Sequence, residues 1–318
     1  MAAPTNTFTT GSAIGMRESL HDKIWMLDKD EFPFQNMIGS GSAKAIREEW
    51  QTDDLGSADD TNAQLEGDDT TAQSTTPTVR VGNRTQILKR SFTISNTEEA
   101  VEKAGRDSEI GYQTMLRGRR LRMDLEAIAL KNQASNAESG TTPRRMGGFL
   151  AWLTSNVSRG TTGSSGGFSG ADVVAATNGA TRALTETLFR GVLKSAWDAG
   201  GAPTMAIMCS AHKVTASQTF TGIATQYNDI GDKKTVTITG AIDRYKSDFG
   251  FISLVPDRFN STRDVEIVDP RWVSLYWLRK FKREELAKTG DARKFHIIGE
   301  VTLKVNNQAA HGVVADLS

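Results

Sequence analysis

The 318-residue sequence predicts an α+β protein with a long two-stranded arm, one long helix behind it, and an α/β layer closed by strands. Three observations predict this. Ala43 to Trp50 (AKAIREEW) and Arg84 to Ser95 (RTQILKRSFTIS) mix apolar and polar residues with the period of two expected of half-buried strands. The stretch between them, DDLGSADDTNAQLEGDDTTAQSTTPTV, is acidic and polar and supplies no core. A helical pattern then runs from Asp107 to about Asn132, and the last third is rich in strand-like runs.

The chain is long enough, at 38% hydrophobic content, for one large domain or two small ones with a real core. It has no apolar run that would span a bilayer. The N-terminus, MAAPTNTFTTGSAIG, lacks the basic-then-apolar order of a secretory signal and reads as a flexible arm. A single cysteine, Cys209, excludes an internal disulfide and a multi-cysteine metal site, and fits a reducing compartment. His21, His212, His296 and His311 are scattered without ligand spacing, so no cofactor or metal is expected.

The formal net charge is zero, but it is unevenly placed. Residues 1–79 hold five basic and fourteen acidic side chains, a net of −9, which leaves +9 on the remainder. An acidic loop also serves solubility. Here the acids cluster on the segment that projects, which points to contact between acidic and basic surfaces, within or between chains.

Residues 1–37 read as an arm with a short helical piece near Met16 to Leu27. Residues 38–97 form the hairpin arm. Asn96 is placed as an N-cap with Glu99 three residues on, and Glu98, Glu99 and Glu102 suit the first turns of a helix. Gly105 breaks or kinks that helix. In the longer one, Ile110, Leu121, Leu125, Ile128 and Ala129 give an apolar stripe, and Arg106, Gln113, Arg117 and Arg120 a polar face. Roughly 26 residues make a rod of about 39 Å.

After the loop ASNAESGTTPRRMGG, residues 143–153 (PRRMGGFLAWL) resume apolar structure. Residues 158–170 (SRGTTGSSGGFSG) read as a mobile surface loop. Leu184 to Ala199 reads as a helix with Leu184, Leu188, Val192 and Trp197 inward, ended by Gly200-Gly201. Thr204 to Cys209 is a short buried strand. Further strands fit Thr235–Thr239, Phe249–Val255, Val265–Val268, Trp272–Leu278, Phe295–Val305 and Ala310–Val314.

Catalytic signatures are sparse. Cys209 and His212 are the one nucleophile–base pair on offer, which would make the chain a hydrolase, but Cys209 ends an apolar strand and no third residue orients the histidine. Asp248-Phe249-Gly250 matches a kinase tripeptide without the other kinase motifs. The run Leu116 to Arg122 (LRGRRLR), with Arg144 and Arg145, offers a nucleic-acid face. The chain lacks a stacking signature and a basic balance, so a solvated or protein-contacting helix face is the better reading. Arg279, Lys280, Lys282 and Arg283 read the same way.

An isolated two-stranded hairpin is marginal in water, so the arm is expected to lie on something, most simply another copy of the chain. The order of parts then resembles the tailed-bacteriophage major capsid proteins with the Hong Kong 97 fold. The resemblance is carried by GRDSEIGYQTMLRGRRLRMDLEAIAL (105–130) and by SDFGFISLVPDRF…VEIVDPRWVSLYWLRKFKREELAKTGDARKFHIIGEVTLKVNNQAAHGVV (247–314). It implies an N-terminal arm (1–39), an extended hairpin loop (40–97), and a peripheral domain with a spine helix (98–149). An axial domain (150–245) and closing strands shared between the two (246–318) follow.

It further implies a structural, non-enzymatic protein of the virion. Pentamers and hexamers of the chain would form an icosahedral shell, built in the host bacterial cytoplasm around double-stranded DNA held by general electrostatics. Separate scaffolding, portal and decoration proteins are the expected partners, with no membrane and no small-molecule substrate. Only about 40 residues precede the hairpin, so scaffolding is expected either as a separate protein or as a segment already removed, and the numbering from Met1 favours the former. No lysine lies between Gln51 and Leu88, so no lysine cross-link from the loop tip is expected. A tail-tube protein is the nearest alternative. The contact residues expected between subunits are acidic Asp53, Asp54, Asp59, Asp60, Glu66, Asp68 and Asp69. Their basic counterparts are Arg117, Arg120, Arg122, Arg144, Arg145, Arg279, Lys280, Lys282 and Arg283.

Overall fold

The computed structural model describes residues 23–27, 29, 31–56, 58–67, 69, 74–220 and 243–318. The chain begins with α1 (Pro33–Met37) and β1 (Gly39–Ser42), then β2 (Arg47–Thr52), β3 (Val79–Arg84), β4 (Gln86–Ser95), α2 (Asn96–Ala100) and α3 (Glu109–Leu130). Next come α4 (Phe149–Trp152), β5 (Val157–Ser158), β6 (Gly167–Phe168), β7 (Val173–Val174), α5 (Glu186–Asp198), β8 (Met205–Met208) and α6 (Ser210–Thr219). The chain closes with β9 (Arg244–Ser247), β10 (Gly250–Pro256), β11 (Val265–Val268), β12 (Val273–Glu285), β13 (Ala292–Val305) and β14 (Gly312–Val314). The strand expected at Thr235–Thr239 lies outside the described residues, as does most of the helical piece near Met16; residues 23–27 carry no helix.

Two sheets organise the body. One runs β1-β12-β13-β4, the other β5-β14-β11-β8-β10-β9. β8 and β11 lie inside the second sheet and are buried at every residue, the pattern of strands covered on both faces. β4 alternates, burying Leu88, Phe92 and Ile94, because one face packs under α3 and the other does not. Phe92 stacks on Phe295 of β13 at 5.3 Å, and a bidentate pair from Arg90 to Asp124 (2.8 and 2.7 Å) ties β4 to α3. Leu121, Leu125, Ala129 and Leu130 of α3 join Phe34, Met146 and Phe149 in the main core. A second core, around Phe189, Val192, Leu193, Met208 and Ile267, lies between α5 and the six-stranded sheet.

The helix starts are set by local chemistry. Ser95, not Asn96, caps α2, its hydroxyl accepting Glu98 N–H at 3.1 Å. Gly105, at φ +78°, separates α2 from α3. Glu99 then serves the second helix: one carboxylate oxygen accepts Ser108 Oγ (2.7 Å) and the other accepts Glu109 N–H (3.1 Å) at the α3 start.

Three further expectations are corrected. The returning limb of the arm is β3, paired to β2 from Arg47↔Arg84 to Thr52↔Val79; Arg84 to Ser95 instead runs antiparallel to β13 in the body. Leu88, Phe92 and Ile94 require a covered face, which α3 provides and the polar tip does not. Residues 158–170 are not a loose loop. Gly160 and Gly166 sit where a Cβ would collide with the carbonyls of Ala180 and Val174, and Phe168 stacks on Trp152 at 6.0 Å. Trp197 points outward, 53% exposed and stacked on Phe249, while Phe189, Leu193 and Ala196 fill the inward face of α5.

Candidate assembly interface

The arm begins at Trp50, the one buried residue of β2, which packs against Trp152 at 5.4 Å with Lys304 Nζ 5.6 Å from its ring. Glu49 beside it is neutralised by Arg47 (3.2 Å) and Arg80 (3.5 Å). Beyond Thr52 this changes. Asp53, Asp54, Asp59, Asp60, Glu66 and Asp69 are all exposed, and Asp68 lies outside the described residues. Asp54 accepts Gly56 N–H at 3.2 Å, and Asp59 accepts Thr61 Oγ1 (2.7 Å) and N–H (3.0 Å), which hold its carboxyl below the usual range. These bonds shape turns but bring no cation to Asp54 or Asp59 among the described residues. Leu55 and Leu65, 103% and 81% exposed, stand among these acids.

The structure separates the basic candidates into two groups. Arg144, its side chain 10% exposed, donates to the buried Glu300 carboxylate and to the Thr85 carbonyl (2.8 Å), so it is part of the fold and does not offer its charge to a neighbour. Arg279 shares Glu300 at 3.2 Å, Lys282 faces Glu284 at 3.7 Å, and Arg283 donates to Thr114 Oγ1 (3.3 Å) over the Phe295 ring. Of these, only the Arg279–Glu300 pair crosses strands, and Arg279, Lys282 and Arg283 all stay exposed. Arg120, Arg122, Arg145 and Lys280 are exposed, and no ion pair holds them among the described residues. Arg117 is half-buried, its Nε without a partner, beside a cleft of about 500 Å³ that Arg106, Glu109 and Gln113 also line.

Arg122 and Lys280 share a second cleft, of about 330 Å³, between α1, β1 and β12. Its floor is apolar, formed by Phe32, Leu275, Trp277 and Phe281. Gln35 closes the α1 side by donating Nε2–H to the Arg122 carbonyl at 2.8 Å.

Residues 3–318 match the family model of the SU10 major capsid protein. The chain belongs to the SU10 major capsid protein family. A curated relative, the major capsid protein of Escherichia phage Phieco32, is 36% identical over 134 residues, and that match spans 42% of this chain but only 38% of the relative. Solved structures share the fold at low identity. A chain from the capsid of a native GTA particle aligns with TM-score 0.62 and 11% identity, covering 97% of this chain and 98% of that one. One from Gordonia phage Cozz gives 0.59 and 10%, covering 99% and 98%. One from the major capsid and decoration proteins of phage G gives 0.57 and 9%, covering both chains fully. The α+β expectation and the capsid-type architecture are thereby met along the whole chain.

In this SU10-family chain the Cys209–His212 pair has a structural place. Cys209 is buried at the start of α6, and His212 donates Nε2–H to the Thr262 carbonyl at 2.8 Å. Among the described residues no cluster could hold a metal ion, and no helix is long and apolar enough to cross a membrane. Reading the sequence missed the apolar cleft under Arg122 and Lys280, since Phe32, Leu275 and Phe281 come together only through β1–β12 pairing. It also passed over Leu55 and Leu65, whose signal was present: leucines inside an otherwise polar, acidic stretch.

Proposed function

We propose that the chain is the shell-forming subunit of a tailed-phage head, assembling as pentamers and hexamers into an icosahedral shell around double-stranded DNA. The observation that carries this is the arm. Its outer part, from Thr52 to Val79, buries nothing among the described residues and carries exposed carboxylates, of which Asp53, Asp54, Asp59, Asp60 and Glu66 meet no cation among the described residues. Such a segment gains a covered face when it lies on a neighbouring copy. Family membership supports the same reading, and so does likeness along the full chain to capsid structures.

On this reading residues 1–39 are the N-terminal arm and 40–97 hold the extended loop, whose projecting part is 47–84, since β4 pairs with β13 in the body. Residues 98–149 build the peripheral domain on α3, 150–245 the axial domain, and 246–318 the closing strands. The exposed cations Arg120, Arg122, Arg145 and Lys280 are the free basic contacts for acidic surfaces of neighbours. DNA would be held without sequence readout, by charge and confinement, so a neutral chain suffices. Scaffolding, portal and decoration functions would come from separate proteins. Assembly would take place in the host bacterial cytoplasm and end in the virion, with no chemical step required of the chain.

The test is negative-stain electron microscopy with sedimentation, on the chain alone and with a candidate scaffolding protein. Closed shells, or rings of five and six subunits, are expected. A stable monomer under both conditions would overturn the proposal, and open tubes would move the chain to the tail.

A further inference from the structure

We propose that Glu126 of α3 and Asp257, the residue after β10, share one proton and so form a pH-sensitive latch on the segment from Glu31 to Ile38. Loss of that proton loosens the segment while the body stays folded. The latch goes beyond the shell reading and does not depend on it.

The two carboxyls sit where the segment is fastened. Glu126 accepts Phe34 N–H (2.7 Å), Gln35 N–H (3.1 Å) and Gln35 Nε2–H (2.8 Å). The loop that carries Asp257 grips the same segment: Phe259 stacks on Phe32 at 6.1 Å, and Arg258 faces Glu31 at 3.8 Å. Asp257 is 2% exposed and lies against the Glu126 carboxyl. Its Oδ1 accepts Phe259 N–H at 2.7 Å, but its buried Oδ2 receives no N–H or O–H from any described residue. A buried acceptor left bare is costly, and two buried carboxyls in contact resist ionising together. One proton between them answers both demands. It gives the bare oxygen a donor and leaves Glu126 able to accept the N–H groups of α1.

The groups around the pair do not relieve it. Glu266, fully buried on β11, and Asp264 before it are further acids, and Asn260 donates to Glu266. Arg258 is turned to Glu31, and no cation of the described residues pairs with Glu126 or Asp257. Arg122, one turn earlier on α3, meets the segment through its carbonyl, which accepts Gln35 Nε2–H at 2.8 Å. Burial raises Glu126 from 4.5 to about 7 and raises Asp257 too. In the opened segment Glu126 regains its ordinary value, so the closed form holds a proton that the open form loses. Closure is therefore strongest below about pH 4.5 and weakens as pH rises to about 7. Phe34, seated on Phe149 at 5.6 Å, still keeps α1 in the core, so the latch governs how often the segment opens.

The experiment is hydrogen exchange read by mass spectrometry on the full-length unassembled subunit, from pH 5 to pH 8, corrected for the intrinsic pH dependence of exchange. Opening of a peptide spanning 33–38 is expected to rise roughly 50-fold across that range. At every pH it is expected to exceed the opening of β13 by about tenfold or more, as a local event does. Glu126→Gln removes the titrating group and is expected to flatten the rise to within about twofold. Asp257→Asn puts a permanent N–H donor beside Glu126 and is expected to cut the rise at least about threefold. A flat wild-type profile would overturn the latch, and so would a wild-type slope in Glu126→Gln. Opening of 33–38 equal to that of β13 would mean that the whole subunit unfolds together, and would also overturn it. A wild-type slope in Asp257→Asn would overturn the shared proton.

Discussion

Glu126, in the middle of α3, accepts the Phe34 backbone N–H at 2.7 Å and so caps a helix 92 residues earlier in the chain. Its second oxygen accepts Gln35 N–H (3.1 Å) and Gln35 Nε2 (2.8 Å). α1 has no side-chain cap of its own, and this fully buried carboxyl takes that place. The contact fixes the N-terminal segment onto the long helix. Replacing Glu126 with Ala strands the buried Phe34 N–H and the half-buried Gln35 N–H and is expected to cost about 1–3 kcal/mol, read as a lowered denaturation midpoint of the unassembled subunit.

The same carboxyl makes stability depend on pH. Burial raises its pKa to about 7, the Asp257 carboxylate nearby adds to this, and the bonds from Gln35 and Phe34 offset only part. A folded-state value above the unfolded one means that between about pH 4.5 and 7 the folded chain keeps a proton which the unfolded chain has lost. Stability therefore falls as pH rises through that window, by up to about 3 kcal/mol from this group. Asp257, also raised by burial, acts in the same direction. Denaturant midpoints at pH 5 and pH 7.5 should show the fall, to which Glu266, raised well above the usual range by burial, adds in the same direction, and Glu126→Gln should remove the Glu126 share of it. An unchanged slope in that variant would place the titration elsewhere.

Arg144 and Arg145 are neighbours in sequence with different fates. Removing Arg144 leaves Glu300, 4% exposed, with only Arg279 and the Thr85 hydroxyl as partners, so Arg144→Ala is expected to cost roughly 1–3 kcal/mol. Arg145 is exposed, and Arg145→Ala should lie within about 0.5 kcal/mol of wild type. Thermal melts of the two variants distinguish them directly.

Two glycines give an opposed pair. Gly118 lies within α3 with open space where a Cβ would stand, so Gly118→Ala should stabilise the subunit by about 0.5–1 kcal/mol. At Gly160 the added methyl meets the Ala180 carbonyl, and Gly160→Ala should destabilise by about 1–3 kcal/mol. Both are read on unassembled subunits, where no neighbour covers α3.

Neutralising the arm tip tests its electrostatic role. Changing Asp59, Asp60, Asp68 and Asp69 to Asn removes four charges and is expected to weaken assembly and its salt sensitivity without unfolding the subunit. Each exposed pair contributes only about 0.2–1 kcal/mol, but a lattice repeats it in every copy. Unchanged yield across a salt series would remove charge from the account of the arm.

The sequence by itself determined the local elements, because their signals are local. The apolar period in 110–129 marks α3 within a few residues, Gly200-Gly201 ends α5, and Val265–Val268 is a strand from end to end. It also determined that the stretch after Trp50 has no core of its own, since composition alone denies it one. Tertiary structure decided which strands pair. Period-two alternation says that Leu88, Phe92 and Ile94 need one covered face, but not that β13 lies beside them, so the arm's second limb fell on β3 instead. It decided, too, which charges are spent inside the fold. Arg144 and Lys280 read alike in sequence, and only the position of Glu300, 156 residues from Arg144, fixes one in the body and leaves the other exposed. Glu126 is the same case: a glutamate on an amphipathic helix reads as solvated until α1 folds back over it and burial changes both its partners and its proton affinity.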